Sequence, residues 1–121
     1  MVLSKAEIGA ADDCVTEEVD VPEWGGTVRM RSLVLRDREA WEKKAFAAGD
    51  IMGMENIRAD LCVSCMVDDD GKRLYADDEV DALLDRSALV MERLFKVALR
   101  INMMSNDDVE DLAKNLPADQ G

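Results

Sequence analysis

From Ser87 to Asn102 the chain carries an apolar stripe too broad to be left in water. Val90, Leu94, Val97 and Ile101 form one row at helical spacing, and Met91, Phe95, Ala98 and Leu99 lie beside it. Residues three and four apart share a helix face, so the pattern predicts an amphipathic helix with Ser87 as its N-cap. A stripe this wide needs cover on more than one side, which makes the segment the central helix of a small bundle. Two Trp, one Tyr and two Phe are all the aromatics in 121 residues, so Leu, Val, Ala and Met must fill the core around it. At this length one domain, residues 1–121, is expected.

The elements that cover this helix are read from the rest of the chain. Ser4 and Glu7 make a capping box ahead of a short helix over about residues 5–11. From Thr16, Val19 and Val21 alternate with acids, and Thr27 to Arg31 alternates again beyond Pro22-Glu-Trp-Gly-Gly26. Two period-two runs around a Gly-Gly turn predict a β-hairpin over about 16–33, with Glu17, Glu18 and Asp20 facing Arg29 and Arg31. Helical spacing resumes near Arg36, with Leu35, Ala40, Trp41, Ala45 and Ala48 on one stripe and Gly49 as its stop. A further helix is expected from about Met54 to Val67, burying Ile57, Leu61 and Cys65. After the Asp68–Gly71 turn, a short acidic helix follows Tyr75 with Val80, Leu83 and Leu84 inward. Ser105 and Asp108 open a last helix to about Lys114, so the helical part runs over about 36–115 and the tail 116–121 frays. The predicted class is α+β, mostly α: a bundle of about five to six helices with one β-hairpin.

Composition excludes much chemistry. With no histidine, a Ser-His-Asp triad, a HExxH zinc site and a Cys/His finger cannot be written on the chain. The net charge of −12 argues against nucleic acid and against an anionic membrane surface. Apolar runs fall well short of the ~20 residues that span a bilayer. The N-terminus lacks the pattern of a signal peptide, and three cysteines without one point to a reducing, cytoplasmic setting. Cys62-Val-Ser-Cys65 falls late in a helix rather than at its N-terminus, so it reads as two small buried residues one turn apart. Asp68-Asp-Asp-Gly71 suggests a calcium loop, but Met66 stands where the first ligand belongs, and a solvated turn is the better reading. No catalytic, cofactor or metal residue is predicted.

Charge and methionine are distributed more informatively. Residues 29–44 hold Arg29, Arg31, Arg36, Arg38, Lys43 and Lys44, whereas residues 68–85 are strongly acidic. Opposed patches can pair within one molecule or between copies. Eight methionines supply adaptable apolar surface as well as core filler.

Taken in order, these segments resemble siphophage (lambda-like) tail assembly chaperones. The resemblance starts with Ser4-Lys-Ala-Glu-Ile and Glu18-Val-Asp-Val-Pro-Glu-Trp-Gly-Gly-Thr-Val-Arg-Met-Arg31 and covers nearly the whole chain; Val21-Pro-Glu-Trp-Gly-Gly26 is its most specific piece. It continues with Arg36-Asp-Arg-Glu-Ala-Trp-Glu, the Val67-Asp-Asp-Asp-Gly71 turn, Tyr75-Ala-Asp-Asp-Glu-Val, a Ser87-capped helix ending in Ile101-Asn102, and Glu110 to Asn115. Met103-Met104 departs from it, since a Gly-Leu-like pair is commoner there, as does Ala76, where Ser or Thr often caps.

The resemblance implies a non-enzymatic chaperone that coats and solubilises the tape measure protein. A longer, frameshifted product recruits tail tube protein, and a chain ending at Gly121 would be the short product. It also implies work in the host bacterial cytoplasm, absence from the mature virion, and no cofactor. Many copies coating one helical client imply a homo-oligomer without nucleic acid or membrane partners. Client contact is expected at Met91, Phe95, Leu99 and Met103, and self-association at Trp24, Arg29, Arg31, Arg36 and Arg38. The alternative from another class is an acidic DNA mimic that inhibits a nucleic-acid-binding protein.

Overall fold

The computed structural model describes residues 1–48 and 56–104. Helix α1 (Lys5–Ala10) has the expected capping box: the Glu7 amide donates to Ser4 Oγ and the Ser4 amide to the Glu7 carboxylate. No residue of α1 is buried.

Strands β1 (Thr16–Val21) and β2 (Gly26–Arg31) pair antiparallel, with Val19 opposite Val28 and Glu18 opposite Arg29. Strand alternation puts Val19, Val21, Val28 and Met30 on one buried face, with Glu17 at its margin, and Glu18, Asp20, Arg29 and Arg31 on the other. The turn corrects the Gly-Gly expectation. Pro22, with its preset φ, starts a 3₁₀ turn over Pro22–Trp24 that Gly25 closes at φ 80°, while Gly26 already begins β2.

A third strand was not legible in the sequence. Helix α3 (Ile57–Cys65) stops before Met66, and β3 (Met66–Val67) pairs with β2 to give the order β1-β2-β3. The apolar run Leu61–Val67 has no break in period to show where helix gives way to strand. The Asp68 turn folds the chain back, so that the Leu74 amide donates to the Met66 carbonyl at 3.0 Å.

Helix α2 (Leu35–Ala48) buries Trp41 and Ala45 against α3, and the Trp41 indole donates to the Ile57 carbonyl at 3.3 Å. Leu35 and Ala40, expected in its stripe, are exposed because, among the described residues, α2 packs mainly on α3 and has a narrower buried face than predicted. After a 3₁₀ turn at Asp77–Glu79, α4 (Asp81–Leu84) buries Leu83 but leaves Leu84 44% exposed, another departure. Helix α5 (Ala88–Ile101) is capped by Ser87 and packs on α3 and on β1 and β2. The stripe is as wide as the sequence implied because both a sheet and a helix cover it. The expected Gly49 stop, the helix over 105–114 and the tail 116–121 lie outside the described residues.

Candidate interaction surfaces

Polar groups at the C-terminal end of α5 tie the fold together. Asn102, buried and carrying no charge, accepts from the Leu33 amide through Oδ1 at 2.8 Å. Its Nδ2 donates to the Ala98 carbonyl at 2.8 Å and to Cys65 Sγ at 3.4 Å. Its own carbonyl accepts from Arg38 at 3.2 Å. One side chain and its backbone thereby join the hairpin exit, α2, α3 and α5.

The helix then ends in a Schellman motif: the Met104 amide donates to the Leu99 carbonyl at 2.7 Å and the Met103 amide to Arg100 at 3.1 Å. That motif needs a left-handed residue, and Met103 supplies it at φ 57°, where glycine is preferred. Its side chain is 90% exposed, while Val34 and Leu35, next to the Leu33 that Asn102 holds, are exposed as well.

Two arginines one heptad apart on α5 hold β1. Arg100 makes a bidentate pair with Glu17, both bonds 2.6 Å. Arg93 pairs with Glu23 at 2.9 and 2.7 Å and also donates to the Asp20 carbonyl at 3.3 Å. The Arg93 guanidinium holds the Glu23 carboxyl down to about 2, and Arg100 holds Glu17 below the usual range.

The expected client residues separate. Phe95 is 1% and Leu99 5% exposed, so both are core side chains in this chain, and Phe95 lies under Arg58, whose guanidinium carbon is 5.6 Å from the ring centroid. Met91 is half-buried and lines a groove of about 200 Å³ with Arg58, Ala59, Leu84 and Arg86. Only Met103 stands free. A wide apolar stripe does not show in the sequence which of its residues a second layer will cover.

The basic strip is largely committed within the chain. Arg29 bonds Glu18 and the Asp69 carbonyl; Arg31 reaches the Gly71 carbonyl and lies 3.9 Å from Asp12; Arg38 serves Asn102 and Glu42. Arg36 is exposed without an ion pair among the described residues, and Trp24 is exposed at the hairpin tip. Arg93, Arg100 and Asn102 were missed, although acids at Glu17 and Glu23 facing arginines seven apart on a helix carry the signal.

The remaining motifs are structural. Burial pushes the Cys62 thiol up strongly and Cys65 to about 11, away from thiolate chemistry. The Asp68 carboxylate is used by the Asp70 and Lys72 amides, an Asx-type turn. Among the described residues no three His, Cys, Asp or Glu side chains gather to hold a metal, and no helix is long and apolar enough to cross a membrane.

The fold and sequence have known counterparts. The chain is similar in structure to the bacteriophage HK97 tail assembly chaperone, with a TM-score of 0.59 and 21% identity over 79% of this chain and 90% of that one. That likeness concerns the fold. No curated protein matches the chain. The family model described as phage tail assembly chaperone matches residues 8–115, spanning the hairpin, the Asn102 hub and the arginine clamps. The chain belongs to the phage tail assembly chaperone family.

Proposed function

We propose that this protein is a non-enzymatic chaperone that binds and solubilises a tape measure protein in the host cytoplasm, helps recruit tail tube subunits, and does not remain in the mature virion. Self-association, with Trp24 and Arg36 at or near the contact, belongs to the same proposal. Membership of the family supports the role, and a net charge of −12 suits a soluble coat.

The single observation that carries the client surface is Met103. A left-handed backbone costs a non-glycine residue about 1–2 kcal/mol, yet the position holds a large, exposed apolar side chain. Strain kept at an exposed hydrophobe fits a binding role. With Val34 and Leu35 it offers an apolar patch at the Asn102 end of the fold, and the client docks there. Co-expression of tape measure protein with wild type or Met103→Gly tests this reading. The glycine variant is expected to keep the fold and lose client in the soluble fraction; undiminished soluble client would remove Met103 from the surface.

A further inference from the structure

Most cations of this acidic chain are already neutralised, and two that are not share one helix face. Eight of the described arginines and lysines have a carboxylate within 4.0 Å. On α2 that holds for Arg38, which faces Glu42, and for Lys44, which faces Asp60. Arg36 and Lys43 are exposed and have no ion pair among the described residues. They stand two helical turns apart, roughly 10 Å, and so lie on the same face.

The rest of that face is small or apolar. Ala40 and Ala47 lie beside the two cations at helical spacing, both exposed, and Glu39 is the carboxylate between them. The alanines keep the strip low, so a second helix can approach it closely. At its N-terminal end the strip meets Leu35, 73% exposed, and Val34. Leu33 is held there by Asn102, whose carbonyl accepts from Arg38, and this brings Met103 to the same end of α2. The apolar patch assigned to the client thereby continues into a basic strip.

Charge decides what such a surface takes. Residues 68–85 are strongly acidic and the chain carries −12. A segment bearing carboxylates is therefore repelled by most of the molecule and attracted where cations stand unneutralised. A segment bearing lysines meets the opposite pattern. To cover Met103, Leu35 and the strip together, a partner needs an apolar helix face with acids two turns apart beside it.

We propose that the client segment docked on this chain is an acidic amphipathic helix. Its apolar face covers Met103, Val34 and Leu35, and its carboxylates pair with Arg36 and Lys43 along the outer face of α2. The inference rests on the reading that the client docks at Met103, and it assigns Arg36 to the client instead of to the contact between copies.

Two designed helical peptides test it, identical in their apolar face, with Glu in one and Lys in the other at two flanking positions two turns apart. Fluorescence anisotropy reads the binding of each labelled peptide to the full chain at low salt. The net charge of the protein favours the Lys peptide, so tighter binding of the Glu peptide, by at least about threefold, has to come from the strip. Arg36→Glu combined with Lys43→Glu, both at exposed positions, is expected to reverse the preference, and rising salt to shrink it in wild type. A wild type that prefers the Lys peptide, treats the two alike or binds neither overturns the proposal, as does a double variant that keeps the wild-type preference. A peptide of residues 105–116 that binds the strip more tightly than the Glu peptide gives the strip to the chain's own segment and also overturns it. So does an Arg36→Glu variant that loses self-association in sedimentation velocity with Glu-peptide binding intact, because Arg36 then belongs to the contact between copies. Met103→Gly separates the two readings. If it loses soluble client while wild type binds the two peptides alike, the client surface stands and the acidic partner falls. If it keeps both soluble client and peptide binding, docking at Met103 falls, and this inference with it.

Discussion

The side-chain oxygen of Asn102 lies 2.8 Å from the Leu33 amide, a bond between residues 69 positions apart. The amide NH₂ of Asn102 is used at the same time by Ala98 and Cys65. A short, neutral side chain with both a donor and an acceptor is needed there, which explains asparagine directly after an apolar helix. Asn102→Ala strands the Leu33 amide and is expected to cost about 2–4 kcal/mol. Urea denaturation measures this, and an unchanged midpoint would show that the hub carries no stability. Asn102→Asp loses the donors and buries a charge, so it should be at least as damaging.

Phe95 is a core residue, and its truncation reads as stability. Phe95→Ala should cost about 3–5 kcal/mol, with client binding falling only as far as the folded fraction falls. A folded, fully stable Phe95→Ala protein that loses client would instead return Phe95 to the binding surface.

Met103→Gly is expected to move stability and function in opposite directions. Relief of the left-handed strain should add about 1 kcal/mol and raise Tm by roughly 3–6 °C. Thermal melts beside the co-expression assay check both halves. A lower Tm would show that the side chain stabilises the monomer by more than its backbone strains it.

Acid sensitivity follows from the clamp on β1. Because the folded carboxyl of Glu23 is held down to about 2, its pairing with Arg93 stabilises the fold fully above the unfolded value near ~4.3. That contribution fades as pH falls from there through about 2, and Glu17 acts in the same direction. NMR titration should find Glu23 depressed in wild type and back in the ordinary carboxylate range in Arg93→Ala. A Glu23 that titrates alike in both proteins would mean that the clamp is open in solution.

Thiol reactivity separates the cysteines. Cys62 and Cys65 are buried with raised thiol values, whereas Cys14 is partly exposed. A maleimide probe at neutral pH should modify Cys14 in the native protein and the other two only on unfolding. Rapid native labelling of Cys65 would contradict the packing of Asn102 against it.

Much of this fold was written in periodicity. Val19, Val21, Val28 and Met30 alternate as a half-buried hairpin must, and the Ser87 helix shows its cap and its stripe. What stayed hidden was what one element does to another. Met66 and Val67 look like more helix until β2 offers hydrogen bonds, and the loop Pro22–Gly25 takes the place of a turn centred on Gly25-Gly26. At the surface level, the stripe on α5 showed that Phe95 and Leu99 are apolar but not that α3 and the sheet cover them. Met103 stands out in the sequence as an apolar client candidate and as a departure from the family pattern, but its left-handed backbone, which gives that departure a physical meaning, does not show there.

The arginine clamp has a consequence for solubility. Val15 and Ser32 bond across the hairpin, so Thr16, Glu18 and Asp20 turn their backbone groups away from β2, toward the edge of the sheet that is free among the described residues. At the opposite edge β3 is bridged to Arg73 through Val67. The free edge is where a stray strand could be templated into open-ended aggregation. There, Arg93 occupies the Asp20 carbonyl, and Glu18 and Asp20 carry charge along the row. Contacts of this molecule are thereby steered to its side-chain surfaces, and the backbone edge is guarded against amyloid-like growth.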